Sequence, residues 1–226
     1  MPDRKICICF DAVLKAEIIR TLLKLYGKGI NTMELSPIVY KHIVRPDWLI
    51  GFYKKNVFRN MFDFQGKIVL DFGSGVGTNC KMFDHSQYIG VDCNEKRIIY
   101  AKKLYSDYQF RLIENGSAIP LEDNSVDYIL IVSVLHHIHP KELILYLHEF
   151  RRILRINGKI IILEPCFMKH SYINNFFMKL VDRGKYIQHW NDYLNVFSGN
   201  HYAVEILHMY QQFKLYNKIL FTAVPR

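Results

Sequence analysis

The sequence predicts an α/β protein: a doubly wound, mostly parallel seven-stranded sheet with helices on both faces and a C-terminal antiparallel hairpin. Three observations carry that expectation. From Gly66 onward, short β-rich runs alternate with helical ones, the pattern of βαβ units whose parallel strands are covered on both sides. The first run, KIVLDF, leads directly into Gly73-Ser-Gly75-Val-Gly77, bare backbone at the place where such sheets bind ligands. The tail, HYAVEILHMYQQFKLYNKILFTAV, breaks the βα rhythm and reads as a hairpin.

In chain order, the first element is an amphipathic helix over residues 10–26. Val13, Leu14, Ile18, Leu22, Leu25 and Tyr26 recur at helical spacing, and Gly27 and Gly29 end it. A second helix starts near Ser36, with Pro37 suited to a first helical position, and a third opens at Pro46. Strands follow over Lys67–Phe72, Tyr88–Asp92, Phe110–Ile113, Tyr128–Val132 and Lys159–Leu163. Helices are expected between them near Gly77–Phe83, Glu95–Leu104 and Lys141–Ile153. Residues 1–62 thus form a helical front, 63–226 the main domain, and 164–200, dense in Tyr, Phe, His and Asn, the segment that covers a substrate.

Half of the 226 residues are hydrophobic, which excludes a disordered chain and allows one substantial core. Through Phe64, Lys and Arg exceed Asp and Glu by five, so a good part of the +9 formal charge lies in the front. A basic amphipathic front either presents a solvated face or makes peripheral contact with an anionic membrane or a nucleic acid. No apolar run approaches the roughly 20 residues of a membrane span. Five cysteines without a C-x-x-C pair, and too few apolar residues before Asp11 for a secretory leader, lead to the expectation of reduced thiols in a cytoplasmic protein with no metal site.

The glycine spacing discriminates between cofactors. A dinucleotide turn, G-x-G-x-x-G, needs glycine at position 78, which is Thr; the third glycine falls at 77. A turn of this spacing behind an acid, Asp71, suits a cofactor without a diphosphate, and Asp71 is placed to accept hydrogen bonds from an ammonium group. About twenty residues on, Asp92 ends YIGVD. It is either a carboxylate for both hydroxyls of a ribose or a helix N-cap, and following this turn the ribose reading is favoured.

The runs VLDFGSGVGTN, YIGVDCN, NGSAIPLEDNSVDYILIVSVLHHI and EFRRILRINGKIIILEP resemble, in order and spacing, the motifs of class I S-adenosylmethionine-dependent methyltransferases, most closely the small-molecule branch that includes quinone-biosynthesis enzymes. The resemblance covers about Ile68 to Pro165. It implies that Asp71 and the backbone of Gly73, Ser74, Gly75 and Gly77 hold the methionine end of S-adenosylmethionine. It further implies that Asp92 takes the ribose, that Cys93, Asn115 and Gly116 lie at the adenine, and that Ser133 lies near the sulfonium. Asn115 stands where the family has an acid, and its amide oxygen still accepts from an amino group. The acceptor implied is a small molecule such as a sugar, lipid or quinone. The family's Asn/Asp-Pro-Pro-aromatic run for adenine amines is absent, which disfavours nucleic acid. Two other readings are an RNA- or protein-directed enzyme using the basic front, and a non-catalytic partner that keeps only the fold.

His136 and His137, in VLHHIH after the fourth strand, are the candidate general bases. The alternative is that these histidines hold the strand–helix turn by hydrogen bonds. The family pattern is complete from Met33 onward, which leaves residues 1–32 peripheral.

Overall fold

The computed structural model describes residues 58, 60–114, 116, 118–181, 185–212 and 216–226. The helices expected over residues 10–26 and from Ser36, the one opening at Pro46 as far as residue 57, and Asn115 lie outside the described residues; Phe58, which is buried, and Asn60 and Met61 are helical.

Seven strands form one sheet: β1 (Val69–Phe72), β2 (Tyr88–Asp92), β3 (Gln109–Leu112), β4 (Val126–Val132), β5 (Leu154–Pro165), β6 (Tyr202–Gln212) and β7 (Tyr216–Pro225). Their spatial order is β3-β2-β1-β4-β5-β7-β6. The first five pair in parallel, while β7 inserts antiparallel between β5 and β6. The expected hairpin is therefore present. Strand order reverses between β1 and β4, and the crevice at their carboxyl ends is where such sheets bind ligands.

Helices α1 (Glu95–Leu104), α2 (Pro140–Ile153), α3 (Tyr172–Val181) and α4 (Trp190–Gly199) complete the described chain. Alternation along the strands divides the core into two layers. Leu70, Ile129, Ile131, Ile160 and Ile162 pack with Leu143, Tyr146 and Phe150 of α2 and Tyr193 and Phe197 of α4. Val69, Leu130, Val132, Ile161 and Leu163 face the opposite way and pack with Ile98 and Ala101 of α1 and with Phe58. Both faces are covered, so the central strands are apolar on both sides.

Two expectations need correction. No helix forms over Gly77–Phe83: the chain there makes turns and one 3-10 turn, Cys80–Met82. Gly75 and Gly77 sit at φ +58 and +79, outside the right-handed helical region. The Asn79 side chain is committed to Asp71, which keeps the crossover short. The fifth strand is also longer than Lys159–Leu163. Asn157, at φ +68, makes a register shift inside β5 rather than a separate turn before it.

Candidate functional site

The glycine turn is built by β2. The N–H groups of Gly73 and Ser74 both donate to the carbonyl of Val91, at 2.8 and 2.9 Å, bending the chain across the end of that strand. Gly73 takes φ +73, and a methyl group there would lie 2.5 Å from Cγ2 of Val134. Gly75, at φ +58, has no neighbour within 4 Å of an added Cβ, so its face of the turn is open. Next to it the Ser74 hydroxyl is buried without a hydrogen-bond partner. Buried hydroxyls are seldom left unpaired.

Both acids sit at strand ends, as expected, but their partners were not legible in the sequence. The Asp92 carboxylate, almost fully buried, accepts from the Gly75 N–H at 2.8 Å through Oδ2 and from the Asn94 N–H at 2.8 Å through Oδ1. It therefore braces the turn and begins α1, whose N-cap is Asn94 rather than Asp92. Each carboxylate oxygen has a further lone pair for a ligand hydroxyl. Asp71 lies beneath the turn, 1% exposed, accepting from Asn79 Nδ2 at 3.0 Å on each oxygen and from the Tyr88 hydroxyl at 2.7 Å. Burial, then the charge of Asp71, pushes the Tyr88 phenol well above its ordinary range, which keeps it a donor. Tyr88 and Asn79 were missed because a tyrosine at a strand start and an asparagine in a loop carry no signal of their own.

Beyond β3, Gly116 takes φ +69 and its N–H donates to the Tyr146 hydroxyl at 2.9 Å, which itself reaches the Glu114 carbonyl at 3.4 Å. Tyr146 of α2 thus pins the loop on which the adenine contacts were expected. Cys93 is exposed beside Asp92; desolvation of its sulfur, then the Asp92 charge, raises its thiol above the ordinary range. We expect Tyr146→Phe to leave the protein folded while loosening this loop. A lost hydrogen bond of about 1 kcal/mol corresponds to cofactor affinity weakened about fivefold, measured by calorimetric titration.

The third part of the site is the turn after β4. Ser133 leaves the strand at φ +55, its N–H on the Leu163 carbonyl at 2.8 Å. The next two N–H groups, of Val134 and Leu135, donate to Oε1 of Glu164 at 2.6 and 2.9 Å. His136 is buried, with Nδ1 2.7 Å from Oε2 of the same Glu164. His137 is exposed, its ring centroid 4.0 Å from that of His136, and His139 caps α2 by accepting from the Lys141 N–H. His136 and His139 therefore help to hold this part of the chain, and His136 also has a carboxylate partner of the kind that a general base uses. Glu164 was missed, although an acid at the last turn of a fifth strand, just before Pro165, marks the same crevice edge. Its charge, after burial, pushes the Cys166 thiol up to about 12, so that thiol is inert.

The segment after β5 returns over this turn. The Phe167 N–H donates to the Gln188 carbonyl and the Tyr186 N–H to the His136 carbonyl, at 2.9 and 3.1 Å. Asp71, Gly73, Ser74, Gly75, Gly77, Asp92, Cys93, Gly116, Ser133, His136 and His137 all lie at or just beyond the carboxyl ends of β1 to β4. Among the described residues, no group of three or more His, Cys, Asp and Glu is placed to hold a metal ion. No helix among them is long and apolar enough to cross a membrane.

Residues 70–162 match the model of the methyltransferase domain family. A demethylmenaquinone methyltransferase of Thermotoga maritima is 25% identical over 116 residues, 50% of this chain and 49% of that protein. An uncharacterized protein of Methanocaldococcus jannaschii is 28% identical over 122 residues, 53% of this chain and 50% of that one. The chain thus spans about half the length of these curated relatives. The crystal structure of a SAM-dependent methyltransferase from Aquifex aeolicus shares the fold, with a TM-score of 0.62 at 16% identity, over 84% of this chain and all of that one. Residues 70–162 accordingly match a methyltransferase domain, and the chain shares the fold of SAM-dependent methyltransferases of known structure.

Proposed function

We propose that the protein transfers a methyl group from S-adenosylmethionine to a small-molecule acceptor of the sugar, lipid or quinone-like kind. The observation that carries this is the open face of the turn at Gly75, flanked by the unpartnered Ser74 hydroxyl and the Asp92 carboxylate. These groups fit a cofactor that offers an amino-acid end and a ribose but no diphosphate. In this reading the Asp92 oxygens take the ribose hydroxyls. Ser74 and the backbone of Gly73, Gly75 and Gly77 hold the methionine end above Asp71, and Cys93, Asn115 and Gly116 line the adenine. Ser133 stands at the sulfonium.

When bound, the cofactor supplies a methyl group that is already electrophilic. The chain's residues then have to aim the acceptor and exclude water, and positioning of this kind is worth up to ~7–11 kcal/mol. His136 or His137 takes a proton where the acceptor carries one. The main domain, 63–226, is the catalytic unit, and the part of 164–200 that crosses His136 covers the acceptor. A quinone-like acceptor is supported by the name of the Thermotoga relative, over the half of each chain that aligns.

The test is calorimetric titration with S-adenosylmethionine and S-adenosylhomocysteine, followed by a screen of sugars, lipids and quinones with methyl-labelled donor. Micromolar binding of both and labelling of an acceptor are expected. Binding of neither would replace this reading with that of a partner protein that retains only the fold.

A further inference from the structure

The most exposed apolar surface of the described chain lies on one helix. α3 carries Tyr172 at 75% exposure, Ile173 at 77% and Phe176 at 69%; among the described residues, Ile156 alone is a large apolar side chain more exposed than these. Successive helical residues turn by about 100°, so the three stand together on one stripe. A single exposed apolar residue is ordinary, whereas a contiguous group marks a contact surface.

The opposite side of the helix holds that stripe outward. Asn174 and Met178 are buried against β7: Asn174 Nδ2 donates to Asn217 Oδ1 at 3.1 Å, and the Asn217 N–H donates to Met178 Sδ at 3.3 Å. Asn175 binds both backbone groups of Met168, its Oδ1 accepting from the N–H at 3.2 Å and its Nδ2 donating to the carbonyl at 2.8 Å. Rolling the apolar stripe onto the sheet would break these bonds and leave buried polar groups unpaired. The place of α3 is fixed as well. The Phe167 N–H donates to the Gln188 carbonyl, and the Trp190 N–H to the Phe167 carbonyl. The chain between them is thus an excursion closed at its base, springing from the carboxyl end of β5 beside the crevice.

Charge distinguishes the possible partners. From Pro165 to Val181 the sequence has no Asp or Glu, while Lys169 and Lys179, before and within the helix, are exposed, as is Lys185 beyond it. A second copy packed stripe to stripe would bring these lysines against their own counterparts, which repel. An anionic lipid surface instead takes the apolar stripe into its headgroup boundary and meets the cations with phosphates.

We propose that α3 is an interfacial helix that docks the protein on an anionic bilayer, with Tyr172, Ile173 and Phe176 inserted and Lys169, Lys179 and Lys185 at the headgroups. This docking stands without the methyl-transfer reading. Joined to that reading, on which this extension rests, it selects an acceptor dissolved in the bilayer, lipid or quinone-like, over a soluble sugar.

The test is co-sedimentation of the full chain with vesicles of phosphatidylcholine alone and of an equal mixture of phosphatidylcholine and phosphatidylglycerol. Wild type should bind the mixed vesicles, and less so as salt rises. Ile173→Ser with Phe176→Ser should melt with wild type, because both side chains are exposed, and should bind the mixed vesicles at least about tenfold more weakly. Lys169→Gln with Lys179→Gln should weaken binding by about fivefold per lysine, and this pair decides the matter should the first variant not fold.

Failure of the wild type to bind the mixed vesicles overturns the proposal, as does undiminished binding by the apolar double variant, which would place any membrane contact in residues 1–57. Sedimentation velocity without lipid covers the remaining case: a wild-type dimer that the double variant dissolves would give the stripe to a second copy and overturn the proposal too. Titration with S-adenosylhomocysteine, run on the same samples, reads the methyltransferase proposal separately, since neither variant alters the glycine turn or Asp92.

Discussion

Replacing Asp92 with alanine should abolish tight binding of S-adenosylmethionine. Its two oxygens hold the Gly75 and Asn94 N–H groups at 2.8 Å in an almost fully buried setting, and they are the acceptors proposed for the ribose. Hydrogen bonds to a charged group are worth about 1.5–3 kcal/mol each. Losing both ribose contacts therefore weakens binding by at least about a hundredfold. The Gly75 N–H also loses its acceptor, at a cost of about 1–3 kcal/mol, so the variant should melt several degrees lower yet remain folded. Asp92→Asn keeps one good acceptor and should fall between alanine and wild type. Calorimetry with S-adenosylhomocysteine and a thermal melt, run together, separate the two losses. Undiminished binding by Asp92→Ala would mean that the ribose lies elsewhere.

The glycine turn should respond differently at two neighbouring positions. An alanine at Gly73 must adopt φ +73 and push Val134 Cγ2 away from 2.5 Å. Left-handed strain of about 1–2 kcal/mol and overpacking of about 1–3 kcal/mol add to a loss of roughly 2–5 kcal/mol, seen as a large drop in melting temperature. Alanine at Gly75 meets the strain alone, because nothing lies within 4 Å of the new methyl group. Its stability should therefore fall by only about 1–2 kcal/mol. The methyl group stands in the space assigned to the cofactor, however, and binding should drop by about a hundredfold or more, more than 2.7 kcal/mol. Normal cofactor affinity in Gly75→Ala would show that the open face serves something else.

These outcomes depend on features of unequal legibility. Val69–Phe72 and Tyr88–Asp92 were readable because buried parallel strands leave short, largely apolar runs, and β2 and α1 begin and end where expected. Asp71, the glycines and Asp92 stood out as a candidate site for a related reason: residue type and local spacing alone suggest their chemistry. The helix expected over Gly77–Phe83 failed on the same glycines. They were read as a ligand turn, while their positive φ values, which also prevent a helix from starting, were not weighed.

What no local pattern carries is partnership across the sheet. Tyr88 meets Asp71 only because β1 and β2 are adjacent and paired in parallel. Tyr146 reaches Gly116 only because α2 packs over β1 and β4. Glu164 finds His136 across 28 residues because β4 and β5 run parallel and finish at the same edge.

The sequence by itself determined the fold class and the place of the glycine turn and its two acids at the carboxyl edge of the sheet, since hydrophobic periodicity, glycine spacing and the position of acids are local properties. Only the tertiary structure decided which groups brace the acids and that the His136 ring is held by a buried carboxylate. Those facts depend on strand order and register, set by packing between residues far apart in the chain.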